Sequence, residues 1–304
     1  MRNALTVDVE DYFHVSAFDS CVRPADWESM PSRVQGNTLR VLELFEELSV
    51  RGTFFMLGWV AERHPWLVRR IADAGHEIGC HGYAHRRITA QSPDVFRQDV
   101  QRAKSYLEDV GGKPVVGFRA PSWTITRSTL WALDILQQLG FTYDSSIFPI
   151  HHDIYGMPGA ERFPHVMQCG QGLLAEFPPS TVVFSAGRRS FNFPVAGGGY
   201  LRLLPAPLIG RAYAALNSRN HPAVLYFHPW EIDPAQPRIP GRVPLRSRFR
   251  HYLNLGRMER KLRYLLTHHS FAPMAQVLED TLGAGTMQTV SAPQGSFSGE
   301  NAHV

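Results

Sequence analysis

Two histidines, His81 and His85, stand four residues apart in EIGCHGYAH, where an apolar run gives way to a glycine-bearing turn. Four residues is about one helical turn, so both rings can leave one face of a turn and converge on a point. Neutral imidazole is the commonest metal ligand, and this spacing recurs in zinc sites. Two nitrogens leave a divalent ion short of at least one ligand. The chain must therefore add a carboxylate and, for catalysis, groups that move protons. Candidates lie far away along the chain: Asp8, Glu10 and Asp11 in TVDVEDYF, Arg119 in GFRAPSW and His228 in LYFHPW.

Their chemistries are complementary. A divalent metal held by two imidazoles and one carboxylate keeps positions open for water and substrate, which marks a catalytic rather than a structural site. It lowers the pKa of its water toward about 7 and polarises a carbonyl oxygen. A second carboxylate can then accept the proton as general base, while a histidine on the far side protonates a leaving nitrogen. Arg119 can pair with the base carboxylate and hold its orientation.

These residues need elements that bring them together. ALTVDV reads as a strand, and NTLRVLELFEELSVRG as a helix capped by Asn37 or Thr38 with an apolar stripe of Val41, Leu44, Phe45 and Leu48. TFFML is a buried strand, GWVAERHPWLVRRIADAG a helix closed by Gly75, and HEIGCH the next strand. A helix near 92–110, the strand PVVGF, a helix near 127–138 and the strand FTYDSS continue the alternation. LLAEFPPSTVVF reads as paired strands, and FNFPVAGGGYLRLLP as a glycine-rich turn between apolar segments. A helix near 206–218 precedes AVLYFHPWEID, a strand ending at His228. Such alternation implies an α/β fold with a parallel sheet or barrel, whose active site lies at the carboxyl ends of the strands. Asp8, the histidine pair, Arg119 and His228 all fall at or just past such ends, and a solvated loop residue has no reason to keep that phase.

Beyond His228 the pattern changes. Residues 233–256 are rich in proline and arginine and read as a surface loop, and helices follow near 257–267 and 273–282. From Gly283 onward the residues are small and polar, so a disordered tail is expected over 283–304.

A chain of 304 residues with 44% hydrophobic residues can bury one large core. Its net charge of +4 is mild, with much of the basic excess between Arg238 and Arg263. No nucleic-acid-binding motif accompanies that stretch, so a nucleic-acid partner is not expected. Three scattered cysteines fit no disulfide framework and favour a reducing compartment. An acidic cluster within the first residues leaves no room for the apolar core of a signal peptide, and no run approaches the roughly 20 apolar residues that span a bilayer. A cytoplasmic protein without a transmembrane segment is expected; a partner could still hold it at a membrane.

Over residues 3–232 the chain resembles the NodB-type polysaccharide deacetylases of carbohydrate esterase family four. The resemblance rests on the acidic cluster after the first strand, HGYAH, RAPSW, LYFHPW and the long segment from TFFML to HGYAH. It implies a distorted, incomplete (β/α) barrel over 1–232, with 233–282 as a C-terminal helical extension packed on it. It also implies roles: Asp8 as general base, His81 and His85 as metal ligands, Arg119 as the residue that orients Asp8, and His228 as general acid. Family members usually carry adjacent aspartates, whereas this chain reads Asp8-Val9-Glu10-Asp11. Strand alternation puts Asp8 and Glu10 on one face, which favours Glu10 as third ligand with Asp11 as its substitute. Ser122 stands where the family has an aromatic, followed by Trp123; its backbone N–H can still receive an oxyanion, since Pro121 has none to offer. Asp144 or Glu231 would orient His228, and Trp123 and Trp230 would stack on a sugar face. The implied cofactor is a divalent metal, zinc first, with cobalt, nickel or manganese as alternatives.

DVEDYFHV, FRAPSWTI, GGGYLRLLP, HPWEIDPAQPR and the C-terminal extension are similar to a narrower branch found with bacterial exopolysaccharide and exosortase systems. That branch implies an N-acetylated polysaccharide, or its lipid-linked oligosaccharide precursor, as substrate, and leaves association with a membrane polysaccharide-synthesis complex open. Two rivals remain: hydrolysis of a small cyclic amide or imide in the same site, and a catalytically inactive carbohydrate-binding protein.

Overall fold

Asn3–Val9 (β1) is buried at every position, as befits a parallel strand covered on both faces rather than one alternating between core and solvent. A computed structural model describes residues 1–187, 189–285 and 287–291. In it β1 pairs with Thr53–Met56 (β2) on one side and Val224–Phe227 (β10) on the other. The sheet continues from β2 through Glu77–Cys80 (β3), Gly117–Phe118 (β4) and Tyr143–Asp144 (β5), all parallel. Gly172–Glu176 (β7) is parallel to β5 and antiparallel to His165–Cys169 (β6). Phe271–Ala272 (β11) lies beside the start of β1.

Among the described residues the sheet does not close, so the incomplete barrel is an open, curled sheet. The curl is forced by one contact. In a flat sheet β1 and β4 would stand roughly 14 Å apart, three strand spacings, yet Arg119 just after β4 bonds Asp8 of β1 at 2.7 Å.

The helices cover this sheet with their apolar stripes. Val34–Glu47 (α1) starts before Asn37 and Thr38, which are buried inside it instead of capping it; its amino end is capped from afar by Asp11. The expected single helix over 58–75 is two, Gly58–Arg63 (α2) and Pro65–Asp73 (α3), because Pro65 cannot continue a helix through His64. Pro93–Gly111 (α4) is capped by Ser92, and Gly112 closes it at φ +66°. Trp131–Gln138 (α5) follows.

The middle and end of the chain depart most from expectation. LLAE and TVVF do not pair with each other: the first lies in β7, while Thr181–Ala186 (β8) forms a separate hairpin with Arg189–Pro194 (β9). Gly198–Leu203 (α6) and Ala206–Asn217 (α7) lead to β10. The presumed loop 233–256 contains a helix, Leu245–Tyr252 (α8), followed by Leu255–His268 (α9) and Met274–Gly283 (α10). Met258, Leu262 and Leu265 of α9 are fully buried. The expected tail is not irregular at its start, since Gln288–Ser291 (β12) pairs with β6, whose free edge accepts the β-prone Thr289 and Val290. Residues 292–304 lie outside the described residues.

Candidate active site

Asp8, near the end of β1, is buried, and its Oδ1 accepts from Arg119 Nη1 at 2.7 Å. The same nitrogen lies 2.7 Å from Thr6 Oγ1, and Nη2 donates to Ser145 Oγ at 3.1 Å. Arg119 is wholly buried, with its guanidinium carbon 4.2 Å from the Phe55 ring centroid and 4.8 Å from that of Trp123. A charge so enclosed persists because its hydrogen bonds are made and a carboxylate faces it.

The histidine pair is built by a turn and not by a helix: Gly82 (φ +72°) and His85 (φ +49°) are left-handed. Gly82 O accepts from Gly58 N and Tyr83 N donates to Asp99, so α2 and α4 clamp the turn. The rings converge with centroids 5.5 Å apart. His81 Nδ1 sits 2.8 Å from Arg119 O; facing a carbonyl it must donate, which leaves a lone pair on Nε2. Burial pulls the His81 pKa down to about 4, so the ring is neutral as a ligand must be.

Glu10 completes the cluster. Ligand atoms of Glu10, His81 and His85 all lie within 4.8 Å of one another. Glu10 Oε2 approaches His85 Nε2 to 2.8 Å without the alignment of a hydrogen bond, and among the described residues this buried oxygen has no donor. Two lone-pair atoms facing a common point in this way fit a divalent cation, which imidazole and carboxylate ligands suit. Burial alone would raise the Glu10 pKa, but His85, His228 and His81 outweigh it and hold the carboxyl well below the usual range. Asp11, the alternative ligand, points elsewhere. Its Oδ2 accepts from Ser32 Oγ, Arg33 N and Val34 N, and its Oδ1 from Tyr12 N.

Opposite the cluster, His228 follows β10 with Nε2 3.4 Å from Glu10 Oε1 and Nδ1 2.6 Å from Glu231 Oε1. Burial opposes the imidazolium, yet Glu10 and Glu231 prevail and raise its pKa to about 9. Glu231 is therefore the orienting carboxylate. Asp144 does not reach His228: it accepts from Ser146 Oγ at 2.5 Å and faces the Glu176 carboxyl. Both tryptophans also depart from expectation. Trp230 is sandwiched between His228 (5.1 Å, 20°) and His251 (4.2 Å, 19°), so neither face is open to a sugar. Trp123 is covered by the edges of Phe148 and Tyr226 and by Arg119, and lines the cavity with little exposed surface. Ser122 and Trp123 are both left-handed (φ +53° and +56°), strain held at the mouth of the site, and Ser122 Oγ contacts Ser16 Oγ at 2.7 Å.

Several participants escaped the sequence. Thr6 lies two residues before Asp8 and so on the same face, a signal alternation could have supplied; Ser145 and Arg202 carried none. Arg202 Nε donates to Glu231 Oε2 at 3.1 Å, and its Nη1 lies 2.7 Å from Arg250 O and 2.6 Å from His251 O. The cavity over the cluster is about 240 Å³ and bordered by Asp8, His81, Ser122 and His228. A larger one, about 680 Å³, opens at the amino-terminal ends of the strands near Arg51 and His76, away from this chemistry.

Residues 15–143 match the model of the polysaccharide deacetylase family, and residues 145–279 match that of a domain of unknown function (DUF3473). A peptidoglycan deacetylase of Helicobacter pylori is 32% identical over 114 residues, 38% of this chain and 37% of that protein. A peptidoglycan-N-acetylglucosamine deacetylase of Bacillus cereus is 33% identical over 98 residues, 32% of this chain and 36% of its own length. The chain thus spans little more than a third of these curated relatives. Among solved structures, a Mycobacterium smegmatis protein bearing the polysaccharide deacetylase name superposes with TM-score 0.60 at 23% identity, over 96% of this chain and 95% of that one. The Puue allantoinase does so with TM-score 0.56 at 13% identity, over 93% and 90%. These two likenesses establish a shared fold.

Proposed function

We propose that this chain, whose residues 15–143 match the polysaccharide deacetylase family, is a metal-dependent amidohydrolase that removes acetyl groups from N-acetylated amino sugars of a bacterial exopolysaccharide or its precursor. The observation that carries the reading is the meeting of Asp8, Glu10, His81, His85 and His228 around one cavity, with Arg119 buried behind it and bonded to Asp8. Glu10, His81 and His85 would hold the cation, zinc before cobalt, nickel or manganese, and the ion would polarise the acetamide carbonyl and acidify a water. Asp8, fixed by Arg119, takes the proton of the attacking water. The backbone N–H of Ser122 receives the oxygen that gains charge. His228, its Nδ1–H held by Glu231, delivers a proton from Nε2 to the departing nitrogen, and acetate and a free amine leave.

A screen of acetate release from N-acetylated oligosaccharides, peptidoglycan fragments and cyclic imides, each with added zinc or cobalt, tests this. Release from amino sugars is expected. Turnover of imides alone would transfer the site to small amides, and no turnover on any substrate would leave a binding protein.

A further inference from the structure

The catalytic cavity is not isolated. It continues into a second cavity of about 440 Å³ that shares Tyr155, Arg202 and Arg250 with it and is walled on its far side by α8. The wall is formed by Arg246, Ser247, Phe249, Arg250, His251 and Leu253, of which Arg246, Phe249, Arg250 and Leu253, spaced i, i+3, i+4 and i+7, share one face of the helix running into its end. Phe249 is 65% exposed on that face. No aspartate or glutamate borders this second cavity.

The charge is also uncompensated. From Pro234 to Met258 the chain has six arginines (Arg238, Arg242, Arg246, Arg248, Arg250 and Arg257) and no acidic residue. Nearby ion pairs are made by Arg40 and Arg263, and among the described residues none of the six stands within ion-pair distance of a carboxylate. Arg250 stands at the junction of the two cavities, where its charge bears on His152, Tyr155 and Tyr200. Arg202 is already committed to Glu231 and to backbone carbonyls, so it does not supply the free charge. Guanidinium groups flanking an open aromatic suit a ring that carries a carboxylate or phosphate: the ring face lies on Phe249 while the anion takes the arginine donors.

We infer that the groove between α8 and the catalytic cavity binds a glycosyl unit bearing an anionic group, adjacent in the substrate chain to the N-acetylated sugar, and that Arg246 and Arg250 select for it. The inference names the substrate class of the site proposed above and rests on that reading for the position of the acetylated sugar; the groove itself is tested by binding.

Isothermal titration of the full-length chain compares three pairs of measurements. The first sets a hyaluronan tetrasaccharide, in which glucuronate alternates with N-acetylglucosamine, against neutral chitotetraose. The second sets N-acetylglucosamine 1-phosphate against N-acetylglucosamine. The third repeats both with R246Q/R250Q, with R246Q alone and, as a control of the same single charge change as R246Q, with R248Q, whose side chain lies off the groove face. At least one anionic probe should bind about tenfold more tightly than its neutral partner, the size of a single charge-assisted contact, and which one identifies carboxylate or phosphate. R246Q alone, which leaves the backbone contacts of Arg202 untouched, should reduce that preference, the double variant should remove it, and R248Q should keep it. Equal binding of anionic and neutral probes overturns the inference, as does equal loss in R248Q, which would reduce the effect to overall charge. If no substrate releases acetate, the functional reading fails while the titration still decides the groove.

Discussion

Arg202 Nε stands 3.1 Å from Glu231 Oε2, and the other oxygen of that carboxylate holds His228 at 2.6 Å. The C-terminal extension is thereby wired to the candidate acid. Arg202 is seated by the carbonyls of Arg250, His251 and Leu253, while Lys261 and Asn254 bond the carbonyl end of α6 that carries it. Arg202→Ala should leave a buried carboxylate and several carbonyls without donors, costing about 3 kcal/mol of stability. It should also lower kcat more than it raises KM, because substrate contacts remain while the acid loses its orienter. Urea melts and steady-state kinetics of acetate release check both, and an unchanged kcat would sever Arg202 from the chemistry.

Glu10 and Asp11 are neighbours with separate tasks. Glu10→Ala should abolish stoichiometric metal binding, read by elemental analysis of the purified protein. Asp11→Ala should keep the metal and instead destabilise the fold by about 1–2 kcal/mol through loss of the α1 cap. Metal loss in the Asp11 variant with retention in the Glu10 variant would reverse the two assignments.

The sequence made this division half visible. The period of a strand is local, so alternation read from β1 put Glu10 and Asp11 on opposite faces; they do part, although β1 ends at Val9 and Glu10 N turns back to Asp8 O. The strand ends carrying Asp8, His81, Arg119 and His228 were legible for the same reason. Partners contributed by packing were not: nothing in GGGYLRLLP marks Arg202 as the support of Glu231, since that contact depends on where α8 and α9 settle. The tryptophans failed in the same way. A motif gives an aromatic next to a catalytic residue, but only the neighbours His251 and Phe148 reveal that its faces are already covered. The helix α8 was hidden by the prolines before it, which end at Pro244, its capping position.

Among the described residues Asp8 forms one ion pair, with Arg119, and stands outside the group of Glu10, His81 and His85 that would hold a cation. Asp8→Asn should therefore leave metal content intact while kcat falls by at least about 10²-fold, as expected for loss of a general base. Metal loss together with activity would recast Asp8 as a ligand.

Removal of the metal gives the complementary test. Dialysis against a chelator should abolish acetate release, and zinc or cobalt should restore it in the parent chain but not in His81→Ala, whose Nε2 has no substitute in the cluster. Full activity after verified metal removal would refute a metal-assisted reaction.

Asp144 and Glu176 lie together, buried, away from the site, and their raised pKa values predict a pH dependence of stability. Burial pushes Asp144 up to about 6 and Glu176 well above the ordinary range. Each leaves one buried oxygen without a donor, Asp144 Oδ2 and Glu176 Oε2, as two carboxyls do when a single proton lies between them. The folded chain then holds more protons than the unfolded chain once pH exceeds about 4, the ordinary carboxyl pKa. Stability from this pair is fully present below that pH; the Asp144 contribution is lost as pH rises through 6 and that of Glu176 at higher pH still. Urea melts at pH 5 and pH 8 should show the parent chain losing at least about 1 kcal/mol over this range. Glu176→Gln should lose less, because its amide can donate to Asp144 at every pH. Equal losses in the two proteins would mean that the carboxyls do not share a proton in the folded state.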